Sequence, residues 1–305
     1  MKAFIISSLF IFGSSYTSAL VDYTDSSDYQ PIKSSVKRAP KPRITKRAAP
    51  SGRRSSGGKK YFEFSSIFSN TDYKAAEKEG KFDRLDLKSR INTDYKFFLD
   101  LSYPMYSGRI SSNQKDTSYQ GGNPKLVLGL NWFEFGQGSE ALSIDMHAGV
   151  ALEGSSEFAA KRTDKILGIS SSKRISNVGL SFGMDYTFTG SSKDESAVDI
   201  GNIQSLYLET GIIVSSDIVF VIRAQNITIN SSNDLIRENR LKEDIKYSVI
   251  EPKMKLRMSS MVDLIMQASF RMRRPKSEEL STGLGVWDLN GAYGNSIGAG
   301  LEIKI

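Results

Sequence analysis

The chain has 305 residues, with 41 Lys plus Arg against 34 Asp plus Glu, a single His and no Cys. Having no Cys excludes a disulfide scaffold, a thiol nucleophile and any Cys-based zinc site. The net charge of +7 is concentrated: residues 31–60 hold eleven basic groups and no acid, while residues 61–305 hold 29 basic and 31 acidic groups. That distribution argues against nucleic acid as a partner, because a basic reading face would lie within the folded part.

Residues 1–19 read as an export signal. Lys2 gives a positive start, Ala3 to Gly13 form an apolar run too short to span a membrane as a helix, and Thr17-Ser18-Ala19 supply the small residues of a cleavage site. From residue 20 to 59 the chain is rich in Ser, Pro, Lys and Arg and has almost nothing to bury, which predicts a disordered tail. Within it, residues 31–60 form a polycation suited to an anionic partner.

Residues 60–305 read as β-strands. Val178, Leu180, Phe182, Met184, Tyr186 and Phe188 alternate with small or polar residues, which is the period of a strand with one apolar face. Leu142–Leu152, Leu126–Trp132 and Val262–Met272 repeat the pattern. Twelve candidate strands lie near 60–71, 81–91, 96–106, 124–135, 140–152, 162–171, 176–189, 201–214, 218–229, 244–257, 262–274 and 288–305. Short gaps alternate with longer polar ones, near 72–80, 107–123, 153–161, 190–200, 230–243 and 275–287. A meander with short turns at one end and longer loops at the other is the pattern of an all-β, transmembrane, antiparallel up-and-down barrel. A soluble sandwich or lipocalin-like barrel also alternates. Regular strand length and the aromatic residues Trp132, Tyr103, Tyr186, Phe188, Tyr293 and Trp287 near strand ends favour the membrane, where such residues form a girdle. An even strand count places both ends of the barrel chain on the short-turn side.

The faces opposite the apolar ones carry charge. Arg84, Lys88 and Arg90 lie on the second strand, Arg223 on the ninth, and Lys253, Lys255 and Arg257 on the tenth. Arg271 and Arg273 follow on the eleventh. Asp100, Asp145, Asp185 and Glu209 sit on the other arc. These thirteen residues are the candidate pore lining. A basic arc facing an acidic one sets a transverse field, and an excess of basic groups predicts mild anion preference. The competing reading is that the arcs neutralise each other by salt bridges in a filled lumen, since twelve strands lie between barrels filled by side chains and barrels with a water channel.

The last residues, GLEIKI, resemble the terminal assembly signal of Gram-negative outer-membrane proteins. Gly300, Ile303 and Ile305 fall at its positions, although the final residue is Ile where the family usually has Phe or Trp. The resemblance implies residence in the bacterial outer membrane, contact with its lipid and lipopolysaccharide, and insertion by the barrel-assembly machinery. Strand count and charge are also similar to small monomeric porins for acidic sugars. Outer-membrane lipid-modifying enzymes carry a Ser two residues after their His, and here the residue after His147 by that spacing is Gly149. Neither an enzyme, nor a metal site, nor a cofactor is expected. Two functions stay open: a narrow channel for small polar or anionic solutes, and a plugged anchor barrel whose basic tail binds an anionic partner.

Overall fold

The computed structural model describes residues 62–75, 78–93, 95–108, 118–135, 142–192, 194–195, 197–273 and 280–305. The export signal and the basic tail lie outside these residues. Twelve antiparallel strands make the wall. They are β1 (Phe62–Ala75), β2 (Lys78–Asn92), β3 (Phe97–Gly108), β4 (Lys125–Phe135), β5 (Leu142–Ala151) and β6 (Asp164–Ile175). The second half comprises β7 (Val178–Phe188), β8 (Ile203–Ile213), β9 (Ile218–Ile229), β10 (Ile245–Arg257), β11 (Val262–Arg273) and β12 (Gly294–Lys304). Each strand pairs with its neighbour in sequence, and β1 pairs with β12 over eleven rungs, from Glu63 opposite Lys304 to Tyr73 opposite Gly294. Closure removes both sheet edges, as a barrel in lipid requires. Phe62 and Ile305 exchange backbone hydrogen bonds of 2.9 and 3.2 Å at the short-turn end, which is therefore also the terminus end.

The period-2 pattern sets the two faces. Phe182 is 53% exposed and Leu208 57% exposed on the outside, whereas their strand neighbours Ser181 and Glu209 are buried in the lumen. Outside, apolar groups meet lipid; inside, polar groups must find partners. A bulge at Trp132 shifts the β4–β5 register, so that Trp132 and Phe133 both face outward.

Three expectations change. The first gap, expected at 72–80, shrinks to residues 76–77, because β1 and β2 stay paired up to Ala75 opposite Lys78. Its polar residues are cross-strand ion pairs on the outer face, Lys81 to Asp72 at 3.1 Å and Lys74 to Glu79 at 3.6 Å. Composition alone cannot tell a solvated strand end from a loop. The last strand begins at Gly294 rather than 288. Trp287 and Tyr293 leave the girdle altogether: each is 2% exposed, inside the barrel. Trp132, Tyr103 and Phe188 do lie exposed on the outer face.

Candidate functional site: a charged vestibule beneath an apolar plug

The lumen has two halves of opposite chemistry. At the loop end, the inward residues are apolar: Tyr73 on β1, Phe82 on β2, Tyr106 on β3, Ile227 and Ile229 on β9, and Ile245, Tyr247 and Val249 on β10. Residues 280–293, which join β11 to β12, turn back into this space. Leu280, Leu284, Val286, Trp287, Ala292 and Tyr293 are all at most 2% exposed. Trp287 is the hub. Its ring lies 5.2 Å from Phe158, 5.5 Å from Phe82, 5.8 Å from Tyr73 and 4.1 Å from Tyr293, mostly edge to face. Phe158 comes from the β5–β6 loop and stacks on Tyr106 at 5.3 Å, so two loops and the wall share one core. The arrangement is that of a domain interior, packed across the width of a barrel.

Polar contacts fix this plug from several directions. Lys125 on β4 forms an ion pair with Asp288. Asn290 donates to Glu251 on β10, Arg271 on β11 donates to the Ala292 carbonyl at 2.9 Å, and Arg162 donates to the Leu284 carbonyl at 3.0 Å. The Tyr293 hydroxyl donates to the Ser281 carbonyl at 3.0 Å, and the Val198 N–H, from the β7–β8 loop, donates to the Gly283 carbonyl at 3.1 Å. Burial alone would raise the Asp288 carboxyl; Lys125, with Arg84 and Arg162, outweighs it and holds the group below its usual range.

Below the plug lies a cavity of about 460 Å³, floored by Trp287 and Leu289 and reaching the terminus end at Asn92, Ser216 and Asp217. Its lining contains nine basic and nine acidic side chains. The expected basic excess is therefore absent from the cavity. The charges also pair along the same wall instead of facing each other across it. Arg84 meets Asp86 at 2.8 Å; Arg90 grips Asp100 with two hydrogen bonds of 2.6 and 2.7 Å; Lys255 meets Glu302 at 3.0 Å. Lys304 bridges Glu302 at 2.7 Å and Asp263 at 2.9 Å. Arg223 lies 3.9 Å from the centre of the Tyr207 ring and opposite Glu209. Lys88 and Lys253 line the same space.

The candidate residues thus divide. Arg84, Lys88, Arg90, Arg223, Lys253, Lys255, Arg257, Asp100 and Glu209 line the vestibule. Arg271 and Arg273 do not. Because β10 and β11 run in opposite directions, Arg257 pairs with Asp263 at the terminus end while Arg273 pairs with Ser248 near the loop end. Arg271 braces the plug, and Arg273 is exposed. Asp145 and Asp185 are buried in the lumen but outside the vestibule. His147 lies 3.4 Å from Asp185, the two reaching over Gly168, which stands between them in the sheet. A Cβ on Gly168 would come within 2.3 Å of the His147 ring. The alternation puts Lys125 and Glu251 on inward faces, but sequence reasoning missed their partners Asp288 and Asn290 and so the contacts that hold the plug. Only the apolar density of 280–293 hinted that this loop is not solvated.

This closed twelve-strand meander, apolar outside and charged within, has the fold of a transmembrane β-barrel. No protein-family model matches the chain, and no curated protein is similar to it in sequence. Among solved structures it is similar to the NanC porin, with a TM-score of 0.51 at 9% identity over 78% of this chain and 100% of that one. The outer membrane phospholipase A from Escherichia coli aligns at a TM-score of 0.43 and 13% identity, over 79% of this chain and 92% of that one. The translocator domain of the autotransporter NalP from Neisseria meningitidis gives 0.42 and 11%, over 80% and 88%.

Proposed function

We propose that the protein is a plugged outer-membrane barrel, closed at the loop end, that anchors a working surface at the terminus end. The observation carrying this reading is the burial of Trp287 and its neighbours in a core shared by the wall and several loops. Moving residues 280–293 aside would unpack Phe158 and the wall with them, so the plug is part of the fold and not a flap laid over an open pore. The vestibule and the basic segment 31–60 then both face the periplasm, where the segment is placed to bind an anionic partner. Full-length protein in planar lipid bilayers should give no stable conductance steps. Replacing residues 282–291 by a short Gly-Ser linker should produce them. Stable steps from the unaltered protein would overturn this reading.

The second reading is a narrow channel for small polar or anionic solutes. A charged vestibule reaching from the terminus end to the plug favours it, as does the architecture shared with the NanC porin. It requires that the plug move, and conductance of the unaltered chain with anion preference is its signature.

A further inference from the structure

The cations of the vestibule differ in what they already hold. Arg84, Arg90, Lys255 and Lys304 are bound to carboxylates, and Arg223 lies on the Tyr207 ring. Among the described residues, Lys88 and Lys253 have neither an ion pair nor a ring contact. They stand at matched depth: Lys88 is four residues from the terminus-side end of β2 at Asn92, and Lys253 four residues from that of β10 at Arg257. Each is flanked across the sheet. Ser65 and Ser102 lie beside Lys88, and Gln267 lies beside Lys253. All three flanking side chains face the same cavity.

Two ammonium groups that make no direct ion pair, set inside a cavity of the barrel, repel each other more strongly than they would at a surface. Lys253 feels the like charges of Lys255 and Lys88 and the opposite charges of Glu302 and Glu209, and Lys88 feels the opposite charges of Asp86 and Glu251; none of these carboxylates makes a direct ion pair with either lysine. Arg84, Arg90, Lys125, Lys255 and Lys304 each hold a carboxylate supplied by the fold. For Lys88 and Lys253 the sequence supplies hydroxyls and an amide, groups that also donate to an oxyanion. We propose that Lys88 and Lys253, with Ser65, Ser102 and Gln267, form a binding site for a small, doubly charged oxyanion entering from the terminus end. The chain's own basic segment is unsuited to this place, because a polycation would add to the two positive charges. A phosphate group and a dicarboxylate share the required chemistry. The site does not depend on whether the lumen conducts.

Trp287 floors the cavity, and the only other Trp, Trp132, is on the outer face. In a Trp132→Phe background, fluorescence therefore reports from Trp287 alone. Full-length protein should show a saturable change on titration with inorganic phosphate, with succinate, or with both, at ionic strength held constant by chloride. A response to one probe supports the site and names its chemistry. Lys88→Gln and Lys253→Gln should each weaken binding about tenfold or more, as expected for loss of one charge-assisted contact. Lys88→Arg should retain binding, which separates loss of charge from misfolding, and Arg273→Gln should leave it unchanged. No saturable response to either probe, or equal binding by the double Gln variant, would overturn the proposal.

Discussion

Lys125 and Asp288 join the barrel wall to the segment that fills it: the ammonium group projects from the start of β4, the carboxylate sits at the base of the plug, and the Arg84 guanidinium donates to the Asp288 backbone carbonyl at 3.5 Å. Both side chains are largely buried, at 14% and 22% exposure. Removing one partner of such a pair strands the other charge and costs about 3–5 kcal/mol. Lys125→Ala should therefore lower thermal stability, read from the heat-modifiable gel mobility typical of folded barrels. The double variant Lys125→Met, Asp288→Leu should lose less than either single change, because no unpaired charge remains.

The same pair sets an acid dependence. The Asp288 carboxyl is held below its ordinary value of 3.8 in the folded lumen. Its contribution to closure is then fully present above that value and is lost as pH falls below it. The pair's contribution to stability should be constant from neutral pH down to about 4 and fall beneath. Asp288→Asn should start lower and lose that part of the decline. An unchanged acid limb in Asp288→Asn would show that another group governs it.

Trp287 tests the plug as a packing unit. Replacing a buried Trp by Ala removes its contacts and leaves a cavity, with a typical cost of about 3–5 kcal/mol. Here the hole would open between the vestibule and the loop-end core. Trp287→Ala should therefore combine a lower melting temperature with new conductance in bilayers, whereas Trp132→Ala, on the lipid face, should produce no conductance.

Which features were legible follows from what each physical signal encodes. Strand identity and the in–out assignment come from an alternation that every residue of a wall strand must obey, so Arg90, Glu209 and Lys304 face inward as the pattern predicts. Depth along the lumen is not encoded by alternation. It depends on strand direction, so the pattern alone groups Arg271 and Arg273 with Lys253 although they sit near the opposite end. The plug was hidden for another reason. Leu280, Leu284, Val286, Trp287 and Leu289 show no period-2 face, and an aromatic residue near a strand end reads equally well as girdle or as core. The pairing of charges along one wall was equally hidden, since Arg90 finds Asp100 only through the β2–β3 register.

The β3–β4 and β7–β8 registers build two similar stacks inside the barrel. Gly129 lies opposite Phe98, whose ring carries the Arg90 guanidinium at 4.3 Å; Gly183 lies opposite Tyr207, whose ring carries Arg223 at 3.9 Å. In each, the ring leans over the glycine, so that an added Cβ would come within 1.9 Å of Phe98 or 2.2 Å of Tyr207. Gly129→Ala and Gly183→Ala should each cost about 1–3 kcal/mol through overpacking and displacement of the arginine. Gly283→Ala is the control, because its added Cβ would meet nothing nearer than 3.2 Å. Equal melting temperatures for all three would show that the rings move aside freely.

The terminal strand separates a packing requirement from a recognition requirement. Gly300 faces Ile67 across the closing seam, and a Cβ there would stand 2.1 Å from the Ser66 carbonyl oxygen. Ile303 and Ile305 instead lie exposed on the outer face, Ile305 the more so. Gly300→Val should block β1–β12 closure whether the protein is refolded into lipid vesicles by itself or assembled in cells. Ile305→Ser removes one apolar group at the barrel rim, where a polar residue is cheap, and should refold in vesicles with little loss. If residues 300–305 also act as the assembly signal they resemble, the same variant should accumulate unassembled in cells, and Ile305→Phe should assemble at least as well as the parent. Ile305→Ser failing equally in vesicles and in cells would assign this residue to barrel stability and not to recognition.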